Sequence, residues 1–179
     1  DWPDCTLRGF HLELRCGMPR FERILEIIDE VASYKFNTIL LEYEDKFPFS
    51  AYPDILSEYA LTLSQLEEMK RHARERHIEI IPLQQTLGHL EYVLKHEKYF
   101  NLREIRSDGP VGHSLKYRFT SEDHTYNSID EICPSNEAAV ELVEKLLEEV
   151  MGAHPESRYI HLGCDEAWHL CTCSVCTGR

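Results

Sequence analysis

The side chains best suited to chemistry stand near the end of the chain, in Tyr159-Ile160-His161-Leu162-Gly163-Cys164-Asp165-Glu166-Ala167-Trp168. A short apolar run leads into two adjacent carboxylates, so a strand would carry acidic groups to its tip. With period two, His161, Gly163 and Asp165 share one face, and Glu166 is the next residue out, where strand gives way to loop. The competing reading is a buried strand followed by a solvated acidic turn. A same-face His and Gly before the pair and Trp168 after it favour chemistry.

Three earlier stretches carry further polar groups among apolar ones. They are Arg8-Gly9-Phe10-His11-Leu12-Glu13-Leu14, then Leu41-Glu42-Tyr43-Glu44-Asp45-Lys46-Phe47-Pro48-Phe49, and Pro82-Leu83-Gln84-Gln85-Thr86-Leu87-Gly88-His89-Leu90-Glu91-Tyr92. Tyr43 and Trp168 suit either stacking on a ring or core packing. Cys171-x-Cys173-x-x-Cys176 beside His169 has metal-ligand spacing. Without a second distant pair the pattern is weak, and free thiols or a bridge to Cys133 or to a thiol outside the chain are favoured, so no metal is assigned. A metal-dependent hydrolase built on His161, Asp165, Glu166 and His169 stands as an alternative.

The elements that must hold these groups alternate between two periods. Thr6 to Leu14 reads as a strand with Phe10, Leu12 and Leu14 on one face and His11 and Glu13 on the other. From Pro19 to about Lys35, Phe21, Ile24, Leu25, Ile28, Val31 and Ala32 make a helical stripe. Asn37 to Tyr43 is a second strand, and 46 to 61 an aromatic, proline-rich ordered loop. Ser64 and Glu67 form a capping-box pattern before a helix to about His77, with Leu66, Met69 and Ala73 inward. Ile78 to Leu83 is a continuous apolar run, as in a parallel strand covered on both faces. Gly88 to Lys98 reads as a short loop helix, and 101 to 133 as a long polar excursion. Ser135 or Asn136 caps a helix through Met151 with Ala139, Val140, Val143, Leu146, Leu147 and Val150 inward. Arg158 to Cys164 is the fourth strand. The order β-α-β-α-β-α-β implies an α/β fold with a parallel sheet and right-handed crossovers. No glycine-rich phosphate fingerprint follows the first strand, which gives a dinucleotide fold no support. The acidic and histidine positions fall instead after strands two, three and four, where a TIM barrel places its chemistry.

The 179 residues suffice for one domain with a sizeable core. A net charge of −13 disfavours nucleic acid and anionic membrane as partners, and no stretch approaches the roughly 20 apolar residues of a membrane span. There is no initial Met and no signal-peptide pattern, so the chain is read as a piece of a longer protein. Seven cysteines, an odd number, and no Asn-x-Ser/Thr sequon lean toward a cytoplasmic or nuclear compartment over a lysosomal or secreted one.

His161-x-Gly163-x-Asp165-Glu166, with the three earlier blocks in the same order, resembles the signature of family 20 glycoside hydrolases, the β-N-acetylhexosaminidases, and is closest to the hexosaminidase D branch. The resemblance implies a (β/α)8 TIM barrel, of which residues 1–179 would cover about the first four β/α units, the N-terminal part of a catalytic domain. Such a barrel needs eight strands and roughly 250 residues. It also implies an exo-acting, retaining enzyme that removes terminal GlcNAc or GalNAc by substrate-assisted catalysis without cofactor or metal. Glu166 would be general acid and then base, and Asp165 would orient the acetamido group. His89 would support the acid and Arg8 would bind sugar hydroxyls. Glu44 and Asp45 would partner Arg8 or a hydroxyl, and His161 would hydrogen-bond within the barrel or be a core histidine. Glu44-Asp45 stands where many relatives carry two aspartates, and Glu13 where an aspartate is commoner. The partner is then an N-acetylhexosamine-terminated glycan, and the resemblance admits a homodimer of the whole protein. These residues alone are expected to be inactive. A non-catalytic sugar-binding or interaction fragment is the alternative from another class.

Overall fold

The computed structural model describes residues 3–15, 17–104, 130–167, 170–171 and 173–177. Cys16, Trp168, His169 and most of the polar excursion expected over 101–133 lie outside the described residues. The chain divides into two compact units, Asp1–Gln84 with Lys145–Leu162, and Gln85–Glu144 with Gly163–Arg179.

The first unit is built on a parallel sheet of three strands in the order β1 (Gly9–Glu13), β2 (Thr38–Glu42) and β3 (Glu79–Leu83). Phe10 pairs with Ile39 and Ile39 with Ile80. Ile39, Leu41, Ile80, Ile81 and Leu83 are buried, as continuous apolar strands of a covered parallel sheet require. β1 is shorter than expected, because pairing with β2 begins only at Gly9. Its alternation is incomplete too: Leu14 is fully buried, whereas Phe10 is exposed and meets Phe36 edge-on at 6.2 Å.

Helix α1 (Phe21–Ser33) buries Ile24, Ile28 and Val31 at helical spacing. Helix α2 (Leu63–Glu75) starts earlier than the Ser64–Glu67 pattern suggested. Its capping box is Thr62 with Gln65: the Gln65 N–H donates to Thr62 Oγ1 at 3.2 Å and the Thr62 N–H to Gln65 Oε1 at 2.9 Å. Leu61 and Leu66, the N′ and N4 positions of this frame, are both buried, as a hydrophobic staple requires. In the Ser64 frame those positions would be the exposed Leu63 and exposed Glu68.

The fourth strand, expected over Arg158–Cys164, is reduced to one parallel bridge between Leu83 and His161. The His161 N–H donates to the Pro82 carbonyl and the Gln84 N–H to the His161 carbonyl, each at 3.0 Å. Two residues on, Gly163 and Cys164 take φ of +68° and +76°. Left-handed residues cannot continue a strand, so the shared face of His161, Gly163 and Asp165 does not exist.

In the second unit, Leu90, Val93, Leu94, Leu102 and Ile132 form the core. The expected loop helix over 88–98 is a single turn, α3 (Glu91–Leu94), followed by a 3-10 helix at Glu97–Leu102. Arg103 and Ile132 form an antiparallel bridge. Helix α4 (Glu137–Ala153) opens where Asn136 Oδ1 accepts the Ala138 N–H at 3.1 Å. Its buried face includes Leu142, while Val140, expected inward, is exposed. Ser174–Thr177 forms the last turn, α5. Among the described residues, no helix is long and apolar enough to cross a membrane.

Candidate active site

The second unit brings together the carboxylate pair and the segment that follows β3. An alanine-type Cβ on Gly88 would lie 2.7 Å from the Asp165 carbonyl oxygen. Only glycine lets the two backbones pass at this distance. That approach places Gln85 and His89 against the pair. Gln85 Nε2 donates to Asp165 Oδ1 at 3.1 Å. His89 Nε2 stands 3.2 Å from Asp165 Oδ2 and 3.3 Å from Glu166 Oε2. One buried ring thus addresses both carboxylates at once, while their side chains remain 59% and 62% exposed for an incoming molecule.

Backbone conformation sets this arrangement. His89 and Glu166 both take φ of +53°, and Gly163 and Cys164 precede the pair in the same left-handed region. Non-glycine residues there cost free energy and are held by the surrounding structure, which is common at functional sites. A Cβ on Gly163 would fall 1.9 Å from Gln85 Oε1, the amide that fixes Asp165. Burial works to raise the Asp165 carboxyl, but the Gln85 amide, a backbone N–H and the His89 ring outweigh it and hold Asp165 below the usual aspartate value. The pair is therefore served by one carboxylate kept ionised and a second beside it on the same histidine.

His89 has more company than the sequence suggested. His89, Glu91 and Asp130 each bring one polar atom within 4.8 Å of one another, and the Leu90 N–H donates to the Asp130 carbonyl at 2.8 Å. Gly88-His89 was legible as a motif. Gln85, Glu91 and Asp130 had no signal beyond lying near it or, for Asp130, none at all.

The remaining candidates belong to the first unit. Glu44 and Asp45 open the 3-10 turn directly after β2, at the carboxyl end of the sheet. Glu44 is buried with φ of +47° and lies 3.8 Å from Arg15 Nε, while Asp45 pairs with Lys46. His161 is exposed beside β3 in this chain. Arg8 sits at the opposite end of the sheet: its Nε donates to the Lys35 carbonyl at 2.7 Å and its Nη1 to the Cys5 carbonyl at 2.6 Å. A guanidinium engaged with strand-end carbonyls ties the chain together there, and its position before β1 explains why. Tyr43 is core: it is fully buried, packs on Phe47 at 5.4 Å and hydrogen-bonds His154 Nε2 at 2.8 Å.

Comparison with known proteins gives the chain a family. The family described as glycosyl hydrolase family 20, catalytic domain, matches residues 6–176. Hexosaminidase D of Bos taurus is 34% identical over 165 residues, covering 92% of this chain and 42% of that protein. Hexosaminidase D of Homo sapiens is 32% identical over the same length, covering 92% of this chain and 30% of that protein. The chain thus spans less than half of these curated relatives. The GH20 β-N-acetylhexosaminidase of Streptomyces coelicolor A3(2) superposes with a TM-score of 0.72 at 24% identity, over 93% of this chain and 34% of that one. The β-N-acetylhexosaminidase of Bacteroides fragilis gives 0.73 at 21% identity, over 97% and 35%. At these identities the structural likeness is one of fold.

Proposed function

This chain belongs to glycosyl hydrolase family 20, and on that premise we propose that it carries the catalytic carboxylate pair of an exo-acting, retaining β-N-acetylhexosaminidase. The observation behind the reading is the buried His89 ring set 3.2 Å from Asp165 and 3.3 Å from Glu166.

In this reading the substrate is a glycan ending in β-linked GlcNAc or GalNAc. Glu166 donates its proton to the glycosidic oxygen as the bond to the anomeric carbon breaks. The 2-acetamido carbonyl oxygen attacks that carbon from the opposite face and forms an oxazolinium intermediate. Asp165 accepts the acetamido N–H and offsets the positive charge that develops there, a task that needs it ionised. Water then attacks the anomeric carbon, Glu166 takes its proton, and the second inversion restores the starting configuration. His89 steers both carboxylates from beneath. Glu44, Asp45 and His161 are retained as substrate-side candidates, and Arg8 is assigned to strand-end support.

The same reading makes these residues about the first four units of a (β/α)8 barrel. Support comes from the parallel order of β1, β2 and β3 with a fourth segment beside β3, and from coverage of 34% and 35% of the structural relatives. A half-built barrel would lack the far wall of a sugar pocket, so the 179 residues alone are proposed to be inactive.

The test uses the whole protein that carries this chain, assayed on aryl β-GlcNAc and β-GalNAc with the Glu166→Gln and Asp165→Asn variants. Each variant is expected to lose about 10²-fold or more in kcat. Variants that keep their rate would make the pair structural. A whole protein that binds GlcNAc without turning over either substrate would establish the sugar-binding alternative.

A further inference from the structure

Three cysteines and a buried glutamate converge in the second unit, apart from the carboxylate pair. Cys133 Sγ lies 3.4 Å from Cys173 Sγ and 3.6 Å from Cys176 Sγ, and Cys176 Sγ lies 3.7 Å from Glu104 Oε2. One atom from each of the four residues falls within 4.8 Å of the others. We propose that Glu104, Cys133, Cys173 and Cys176 form a closed tetrahedral site for a zinc ion.

The distances carry the argument. A tetrahedral ion with bonds of about 2.3 Å to sulfur and about 2.0 Å to oxygen sets sulfurs about 3.8 Å apart and sulfur from oxygen about 3.5 Å. The observed sulfur separations of 3.4 and 3.6 Å fall slightly short of the first value, and the sulfur–oxygen separation of 3.7 Å slightly exceeds the second. A disulfide would need about 2.05 Å between two sulfurs, and Cys133 Sγ stands 3.4 and 3.6 Å from the other two.

Burial and the surrounding hydrogen bonds fit a structural ion. Glu104, Cys133 and Cys173 are 0%, 2% and 5% exposed and Cys176 is half-buried, so the described residues enclose most of the cluster. The Glu104 carboxylate is oriented by its other oxygen, which accepts the Cys173 N–H at 3.0 Å. Backbone N–H groups of Cys176 and Val175 point at the Cys173 sulfur, and the Ser135 N–H points at the Cys133 sulfur. Such N–H donors stabilise thiolates and orient ligands around an ion. Three soft thiolates with one hard carboxylate suit zinc, which accepts both, better than copper(I) or an iron–sulfur cluster.

The ligands also explain what the ion would do. Glu104 and Cys133 flank the antiparallel bridge of Arg103 and Ile132, and the Ile132 N–H donates to the Leu87 carbonyl at 3.0 Å. That carbonyl lies between Gln85 and His89, while Cys173 and Cys176 follow the Asp165-Glu166 turn closely in sequence. The zinc would fasten the two loops whose side chains meet at the carboxylate pair.

The test is metal analysis of the whole protein, purified reduced and without chelator. One zinc per chain attributable to this site is expected, lost in Cys133→Ser and in Cys173→Ser but kept in Cys171→Ser and Cys5→Ser, whose thiols are exposed. Because a ligand variant can misfold, the wild-type protein reloaded with cobalt provides a second reading. Thiolate-to-cobalt charge transfer and tetrahedral d–d bands are expected, and they should be displaced by one equivalent of zinc. Metal equally bound in Cys133→Ser, metal lost in Cys171→Ser, or a disulfide among Cys133, Cys173 and Cys176 in the freshly purified protein would overturn the proposal. None of these readouts depends on glycosidase activity.

Discussion

Replacing Gly88 with alanine adds one methyl group and aims it at the backbone beneath the carboxylate pair. The nearest atom would be the Asp165 carbonyl oxygen at 2.7 Å, with the Ala167 nitrogen at 3.6 Å and the Glu166 carbonyl carbon at 3.7 Å behind it. All three are backbone atoms, so no flexible side chain can swing away. Ordinary contact begins at 3.4 Å. The two segments must therefore part by about 0.7 Å, since a close-packed interior has no slack to absorb the methyl. Asp165 and Glu166 move with that backbone, while Gln85 and His89 move with the other side. Overpacking of this kind costs about 1–3 kcal/mol of stability. A misplacement approaching about 1 Å costs on the order of 10²-fold in rate where alignment matters. The Gly88→Ala form of the whole protein should thus show a kcat on aryl β-GlcNAc about 10–100-fold lower, with an earlier urea midpoint. Wild-type kcat together with wild-type stability would refute the close passage of the two backbones. Lost stability with intact kcat would instead detach the Gly88 segment from the chemistry.

Gly163→Ala meets two obstacles, a φ of +68° and a Cβ position 1.9 Å from Gln85 Oε1. It should lower stability by roughly 2–4 kcal/mol and, by displacing Gln85, weaken the hold on Asp165. Chemical denaturation and the acid limb of the kcat profile would check both, and an unchanged acid limb would count against the Gln85 bond. His154 makes a separate prediction about pH. Burial, and then the Lys70 charge, lower its imidazole to about 4, against the opposite pull of Glu156 and Glu67. The unfolded ring titrates near 6.5, so above that pH His154 is neutral in both states. As pH falls from about 6.5 to about 4, the unfolded chain takes up a proton the folded ring refuses, and stability drops by up to about 3 kcal/mol. The stability gap between wild type and His154→Gln should narrow across that window; a gap independent of pH would show the reasoning to be wrong.

Much of the fold could be read from residue pattern because the pattern was strong where packing is two-sided. Ile39, Leu41 and Ile80 sit in covered parallel strands, and Ile24, Ile28 and Val31 on one helix face. The α2 start is ambiguous by two residues in the sequence because two boxes overlap, and only the burial of Leu61 and Leu66 decides between them. The end of the fourth strand is not legible either, because left-handed φ at Cys164 and Glu166 has no compositional mark when the residues are not glycine. Within the site, Gly88-His89 and Asp165-Glu166 were visible as local motifs. Their meeting through Gln85 was not, since it depends on a backbone approach between segments 80 residues apart. The cysteine pattern pointed to Cys171, Cys173 and Cys176, whereas the cluster draws on Glu104 and Cys133 and leaves Cys171 exposed.

The left-handed residues at the site bear on how the protein could be redesigned. His89, Cys164 and Glu166 take φ of +53°, +76° and +53°. A search that ranks sequences by stability would place Gly or Asn at all three positions, because those residues enter the left-handed region most readily. Each such choice would relax the backbone, and two of the three would delete the groups that face one another at 3.3 Å. Optimising this chain for robustness alone would therefore drift toward a sounder scaffold with an empty hand. A thermostabilisation library should hold these three positions fixed and look for its gains in the helices and the sheet.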